Sequence, residues 1–161
     1  MPDAGNLAVA IYLKLGSVQG SATTSGYENW IILERFQWGF AAGYTAKQSN
    51  SEVSVREVVL TMRAEKASPL IVNNGVSRTV IPTATVKFTT TSKDKVDVFM
   101  SYEFSNCVIT NYTIEAQAEG VPTETLALSF TKVTETFNPR DAKMTGSPTT
   151  VTYDVRSAQT S

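Results

Sequence analysis

Alternation of apolar and polar residues with a period of two runs through most of this 161-residue chain and predicts strands. Residues 8–15 set Val9, Ile11, Leu13 and Leu15 against Ala8, Ala10, Tyr12 and Lys14. Residues 29–40 place Trp30, Ile32, Phe36, Trp38 and Phe40 on one face, interrupted only by Glu34. Residues 53–63 put Val58, Leu60 and Met62 opposite Val55, Glu57 and Val59, so both faces are partly apolar and ask for cover on both sides. Residues 82–91 set Ala84, Val86 and Phe88 opposite Thr83, Thr85, Lys87 and Thr89. A turn at 92–95 leads into a stripe of Val96, Val98, Met100, Tyr102 and Phe104, which predicts a hairpin. Further strands are expected over 107–118, over 125–137 with Leu126, Leu128 and Phe130 facing one way, and over 149–155.

One segment leaves this rhythm. In residues 66–78, Ser68 stands at an N-cap position and Pro69 at the first helical position, where a missing N–H costs nothing. A short helix is expected near 69–76, with Gly75 either inside it or ending it. The pattern predicts a mainly β fold, a two-sheet antiparallel barrel or sandwich with one short helix packed on it. Residues 1–161 read as one domain whose core includes Trp30, Phe36, Trp38, Phe88, Val98, Met100, Leu128 and Phe130. The small and polar residues 41–52 are expected to form a mobile loop, and 157–161 a frayed tail.

Composition narrows the chemistry. The chain has no His and one Cys, Cys107, which leaves no imidazole acid/base, no Ser-His-Asp or Cys-His pair and no disulfide within the chain. Two or more Cys ligands to one metal are likewise excluded. A net charge of −1 gives no basic footprint for nucleic acid. The N-terminal run LAVAIYLKL is too short to insert in a membrane and has Asp3 rather than a basic region before it, so it is not read as a signal peptide. The Gly-containing stretch 16–26 lacks the GxGxxG spacing and is read as a connection between strands. Asn111-Tyr112-Thr113 has the form of a glycosylation acceptor and is read as plain strand sequence. The acids Asp94, Asp97, Glu103, Glu115, Glu119, Glu124 and Glu135 show no spacing that pairs two in one cleft. No catalytic residue, metal ligand or cofactor is assigned, and the chain is not read as an enzyme. On physics alone, a self-assembling β subunit leads, because a ring covers two-sided strands and pairs open edges. A monomeric ligand-binding sandwich is the second reading.

The order of motifs also resembles the haemolysin-coregulated protein (Hcp) family, the tube protein of bacterial type VI secretion. The opening strand IYLKL is followed by GSVQGSATTSGYENWIILERFQWG, similar to the family's glycine-bounded turn, polar loop and strand ending in aromatic-x-Trp-Gly. KASP opens the helix and Ile81-Pro82 enters the next strand. AEGVPTETLALSFTKVTETFNPRD resembles the family's polar loop and penultimate strand. The resemblance implies a homohexameric ring that stacks with copies of itself into a tube. It implies a contractile sheath around that tube, a spike (VgrG-type) protein at its tip and effector cargo in its lumen. It further implies a protein made in the cytoplasm and exported without a cleaved signal peptide. A tail-tube subunit of a contractile phage-like particle is the sibling reading. Candidates for ring-on-ring contact are Gly43, Tyr44, Thr45, Lys47 and Gln48 in the long loop, and Glu119, Val121 and Pro122 at a second turn. Thr85, Lys87 and Thr89 are candidates for a polar wall.

Overall fold

The computed structural model describes residues 8–43, 53–139 and 146–161. In chain order its elements are β1 (Val9–Leu15), β2 (Ile31–Gln37), β3 (Phe40–Ala42), β4 (Val53–Val55) and β5 (Val58–Arg63). Then follow α1 (Ser68–Val76), β6 (Ile81–Ser92), β7 (Lys95–Glu115), β8 (Thr123–Ser129), β9 (Lys132–Phe137), β10 (Thr149–Asp154) and β11 (Gln159–Thr160). All pairings are antiparallel. The 21-residue β7 organises the sheet, because it changes partners along its length. Its residues up to Cys107 pair with β6, and Val108–Glu115 pair with β8. The ring β7-β6-β1-β2-β5-β8 thereby closes on itself as a six-stranded barrel. β9 runs on from β8 along the same strand and carries β10 and β11 away from the barrel as an extension. β3 and β4 form a separate two-stranded sheet.

The expected β class, barrel and single helix are what the chain forms. Closure replaces two separate sheets: it leaves the barrel strands without open edges. The interior is filled by Leu13, Leu15, Ile31, Leu33, Leu60 and Phe104 among others, with Leu126 and Leu128 wholly buried. Phe36, Trp38, Phe88 and Met100 are partly buried against that core, and Phe130 is buried in it. Trp30 and Val98 lie elsewhere, in a second cluster with Tyr12, Ala22 and Tyr27.

Two irregularities account for that division. The β2–β5 register shifts between Leu33 and Arg35, so Ile31, Leu33 and Phe36 point inward while Ile32 is 48% exposed. The β6–β7 register shifts between Phe88, opposite Met100, and Thr89, opposite Val98. One extra residue reverses the alternation beyond it. The face read as Trp30-Ile32-Phe36 and the stripe Val96–Phe104 are therefore each split between the two sides of the sheet.

The second cluster exists because residues 16–30 fold back over the outside of β1 and β6. Gly20 N–H donates to Asn29 O at 2.7 Å, and Ala22 and Trp30 pair through Ala22 N–H to Trp30 O at 3.0 Å. Tyr27 stacks on Tyr12 with ring centroids 4.6 Å apart, and the Tyr12 and Thr24 hydroxyls are hydrogen bonded at 2.9 Å. Lys87 Nζ lies 5.5 Å from the Trp30 ring centre, a cation–π distance. Thr89 is buried here with its hydroxyl donating to Ala10 O, so it is not a wall residue.

Local expectations are adjusted at four places. Residues 53–63 form two strands, broken at Arg56-Glu57. Ala41 and Ala42 pair with Ser54 and Val53, so strand structure reaches into the start of the expected 41–52 loop. Ser68 does not cap α1; its hydroxyl accepts from Glu65 N–H and donates to Glu124, both at 2.9 Å, and Gly75 lies inside the helix. Within residues 157–161, expected as a tail, lies the two-residue strand β11. Asp154 Oδ1 accepts from Arg156 and Ser157 N–H groups, which turns the chain so that β11 pairs with β10.

Candidate functional site

The predicted stacking residues that the structure describes are Gly43 and those of the second turn. β4 leads through a two-residue break into Val58, the first residue of β5. Gly43 continues the β3 end of that hairpin and is exposed; Tyr44, Thr45, Lys47 and Gln48 lie outside the described residues. At the other end of β5, Arg63 pairs with Thr123, the residue after the second turn. In that turn Gly120 has φ +96°, Glu119 and Val121 are exposed, and Pro122 O accepts from Ala64 N–H at 2.9 Å. Six strand residues separate the ends, about 20 Å of rise. Of the predicted stacking residues, the structure describes Gly43, at the end of β3, and Glu119, Val121 and Pro122, in the turn before β8.

The barrel end beside the second turn holds an unexpected buried acid. Glu124 follows the phase of Leu126 and Leu128, so its side chain points inward and is fully buried. Its carboxylate accepts from the Ser68 hydroxyl at 2.9 Å and from the Tyr112 hydroxyl at 2.8 Å. A buried acid is tolerable when hydroxyls satisfy it, and here they tie α1, β7 and β8 together. The shared phase with two leucines was the available sequence signal. Burial, followed by the bond to Glu124, pushes the Tyr112 phenol up to about 12. Burial likewise raises the Cys107 thiol to about 11; its Sγ donates to Phe104 O at 3.4 Å, consistent with an inert buried cysteine. Folded-state values above the unfolded ones mean stability is retained below about pH 9 and lost as pH rises through about 12. Tyr112→Phe is expected to remove the part of that loss above pH 10, read from urea midpoints measured between pH 8 and 11.5.

A cleft of about 380 Å³ opens where the β3–β4 hairpin faces the β9–β10 extension. Trp38, Phe40 and Val53 line one wall, and Val133, Glu135 and Tyr153 the other. The Trp38 indole N–H is buried without a hydrogen-bond partner. Glu135 accepts from the Tyr102 hydroxyl, which together with burial raises that phenol above its ordinary range. Reading Trp38 only as core missed this; the signal was Glu135 lying in phase with Val133 and Phe137. Among the described residues, no group of three or more His, Cys, Asp or Glu side chains could hold a metal ion. No described helix is long and apolar enough to cross a membrane.

This geometry can be set against known proteins. The chain is similar to a solved type six secretion system protein at 21% identity, covering 96% of this chain and 100% of that one with a TM-score of 0.85. It is similar to Hcp1 from Salmonella typhimurium at 20% identity, over 96% and 100% of the two chains, with a TM-score of 0.81. The secreted protein Hcp3 from Pseudomonas aeruginosa matches at 15% identity over 89% and 97%, with a TM-score of 0.61. These likenesses establish the fold. No curated protein matches by sequence. The sequence profile of the type VI secretion system effector Hcp matches residues 12–137, most of the barrel, and the chain therefore belongs to the Hcp family of type VI secretion tube and effector proteins.

Proposed function

We propose that this chain is the structural subunit of a type VI secretion inner tube. Six copies close into a ring with a central channel, and rings stack head to tail inside a contractile sheath. Contraction ejects the tube behind a VgrG-type spike, with effector cargo in the lumen. The chain performs no catalysis in this role and leaves the cell by the machinery it builds.

The observation that carries this reading is the family match over a closed barrel whose outer surface is unfinished. Phe40, Val76, Val80, Ile114 and Val121 are each more than half exposed. Apolar side chains left exposed on several different elements suit a subunit whose outer surface its neighbours cover. Stacking is a heterologous contact and needs two different faces. Gly43 and the segment that follows it supply one face, and Glu119, Val121 and Pro122 the other. Light scattering on the purified chain tests the ring: the mass should be that of about six protomers. A concentration-independent monomer would contradict it and favour the ligand-binding sandwich.

A further inference from the structure

The buried acid beside the second turn is a costly choice of residue. Glu124 is fully buried, and the ion pairs among the described residues, Arg63 with Glu34 and Lys95 with Asp97, do not include it. A buried carboxylate without a cation carries a desolvation cost that an aliphatic side chain does not. Leu126 and Leu128 follow in the same phase and are also wholly buried, so an aliphatic side chain suits this row of the strand. Stability alone does not account for the acid, and its hydrogen bonds point to another role.

Those bonds close a circuit between two corners of the chain. One corner is residues 64–65, between β5 and α1; the other is residues 122–124, where the turn enters β8. Ala64 N–H donates to Pro122 O at 2.9 Å, which joins the corners through the backbone. Glu65 N–H donates to Ser68 Oγ at 2.9 Å, and the Ser68 hydroxyl donates to Glu124 at 2.9 Å, which joins them again through side chains. The Tyr112 hydroxyl donates to the other carboxylate oxygen at 2.8 Å and ties the acid to β7. Met62 and Ile114 flank Glu124 on the paired strands, so the ladders hold its backbone on both sides. A carboxylate accepts from both hydroxyls at once, whereas a carboxamide of the same size must turn its NH2 toward one of the two donors. Glu119, Val121 and Pro122 stand immediately before the second corner, so the circuit sets where their turn projects.

We propose that Glu124 is a positioning residue for ring stacking: its carboxylate clamps the 64–65 corner to the 122–124 corner and so presents Glu119, Val121 and Pro122 to a neighbouring copy of this chain in one conformation. This rests on the stacking role given to that turn above and adds the buried group that fixes its geometry.

The test compares the full chain with Glu124→Gln and with Ser68→Ala, which breaks the side-chain half of the circuit and leaves the acid in place. Light scattering reads the ring, and sedimentation with negative-stain microscopy over a concentration series reads the stack. Both variants should keep the ring mass of the unaltered chain. The protein concentration at which rings stack should rise at least about tenfold in each. Amide exchange at Gly120, Val121 and Thr123 should quicken while exchange along β6 stays unchanged. Ser68→Thr, which keeps a hydroxyl, should restore stacking. Stacking by both variants equal to that of the unaltered chain overturns this inference alone and leaves the tube reading standing. Loss of the ring together with the stack also overturns it, because Glu124 would then hold the fold rather than the turn. A loss in Ser68→Ala that Ser68→Thr does not repair overturns it too, because the hydroxyl would not be the link. An unaltered chain that forms no rings, or rings that stack at no concentration, overturns the tube reading and this inference with it.

Discussion

Phe104→Ala is expected to lower the stability of the folded chain by about 3–5 kcal/mol, the usual cost of deleting a buried phenyl ring. Phe104 is fully buried near the middle of β7. Its ring lies 4.8 Å from that of Phe130, 6.0 Å from the stacked Tyr102 ring and 6.4 Å from Trp38. Tyr102 lies on the same strand, Phe130 follows β8 and Trp38 follows β2, so the cavity cannot collapse by moving one element. For a chain of this length the melting midpoint should fall by roughly 6–20 °C at matched protein concentration. A shift of less than about 2 °C would mean that the ring is not a core anchor.

Gly20→Ala should have the second largest effect, at about 1–3 kcal/mol or more. A Cβ at Gly20 would sit 2.4 Å from Trp30 O, 2.6 Å from Trp30 C and 2.7 Å from Ile31 N. All three are backbone atoms at the entry to β2, so no side chain can swing aside. The two arms of the 16–30 cover would separate, and with them the stacked Tyr12–Tyr27 pair and the Trp30 edge contact. The expected signature is faster amide exchange over residues 20–30 together with a lower urea midpoint. Gly39→Ala is the control: its Cβ meets nothing within 4 Å, and the change should stay within about 0.5 kcal/mol. Equal effects at the two glycines would contradict the close approach at Gly20.

The strand content and the helix were legible because alternation and the Ser-Pro start are local signals. Where reading failed, one added residue was responsible. The shift at Leu33/Arg35 moves Ile32 outward and Phe36 inward, and the shift beyond Phe88 sends Val98 and Met100 to opposite faces. No residue type marks such a bulge in advance, since any side chain can occupy the extra position. Barrel closure was equally hidden, because it depends on β7 exchanging β6 for β8 at Cys107-Val108. Asn106, with φ +52°, marks that point.

The functional surfaces divide in the same way. The turn at 119–122 was found from its Gly and Pro. Glu124 was passed over as one more scattered acid, although its phase with Leu126 and Leu128 pointed inward. The cleft could not be read from sequence at all. It arises where β3–β4 faces β9–β10, elements separated by some eighty residues of chain.

In the proposed role the folded chain is an incomplete object finished by copies of itself around a channel. Negative-stain microscopy of the purified chain tests it most directly. The account predicts end-on views with six-fold symmetry and a central hole, and stacks of such rings at high concentration. Uniform particles the size of one protomer, without a hole at any concentration, would contradict it.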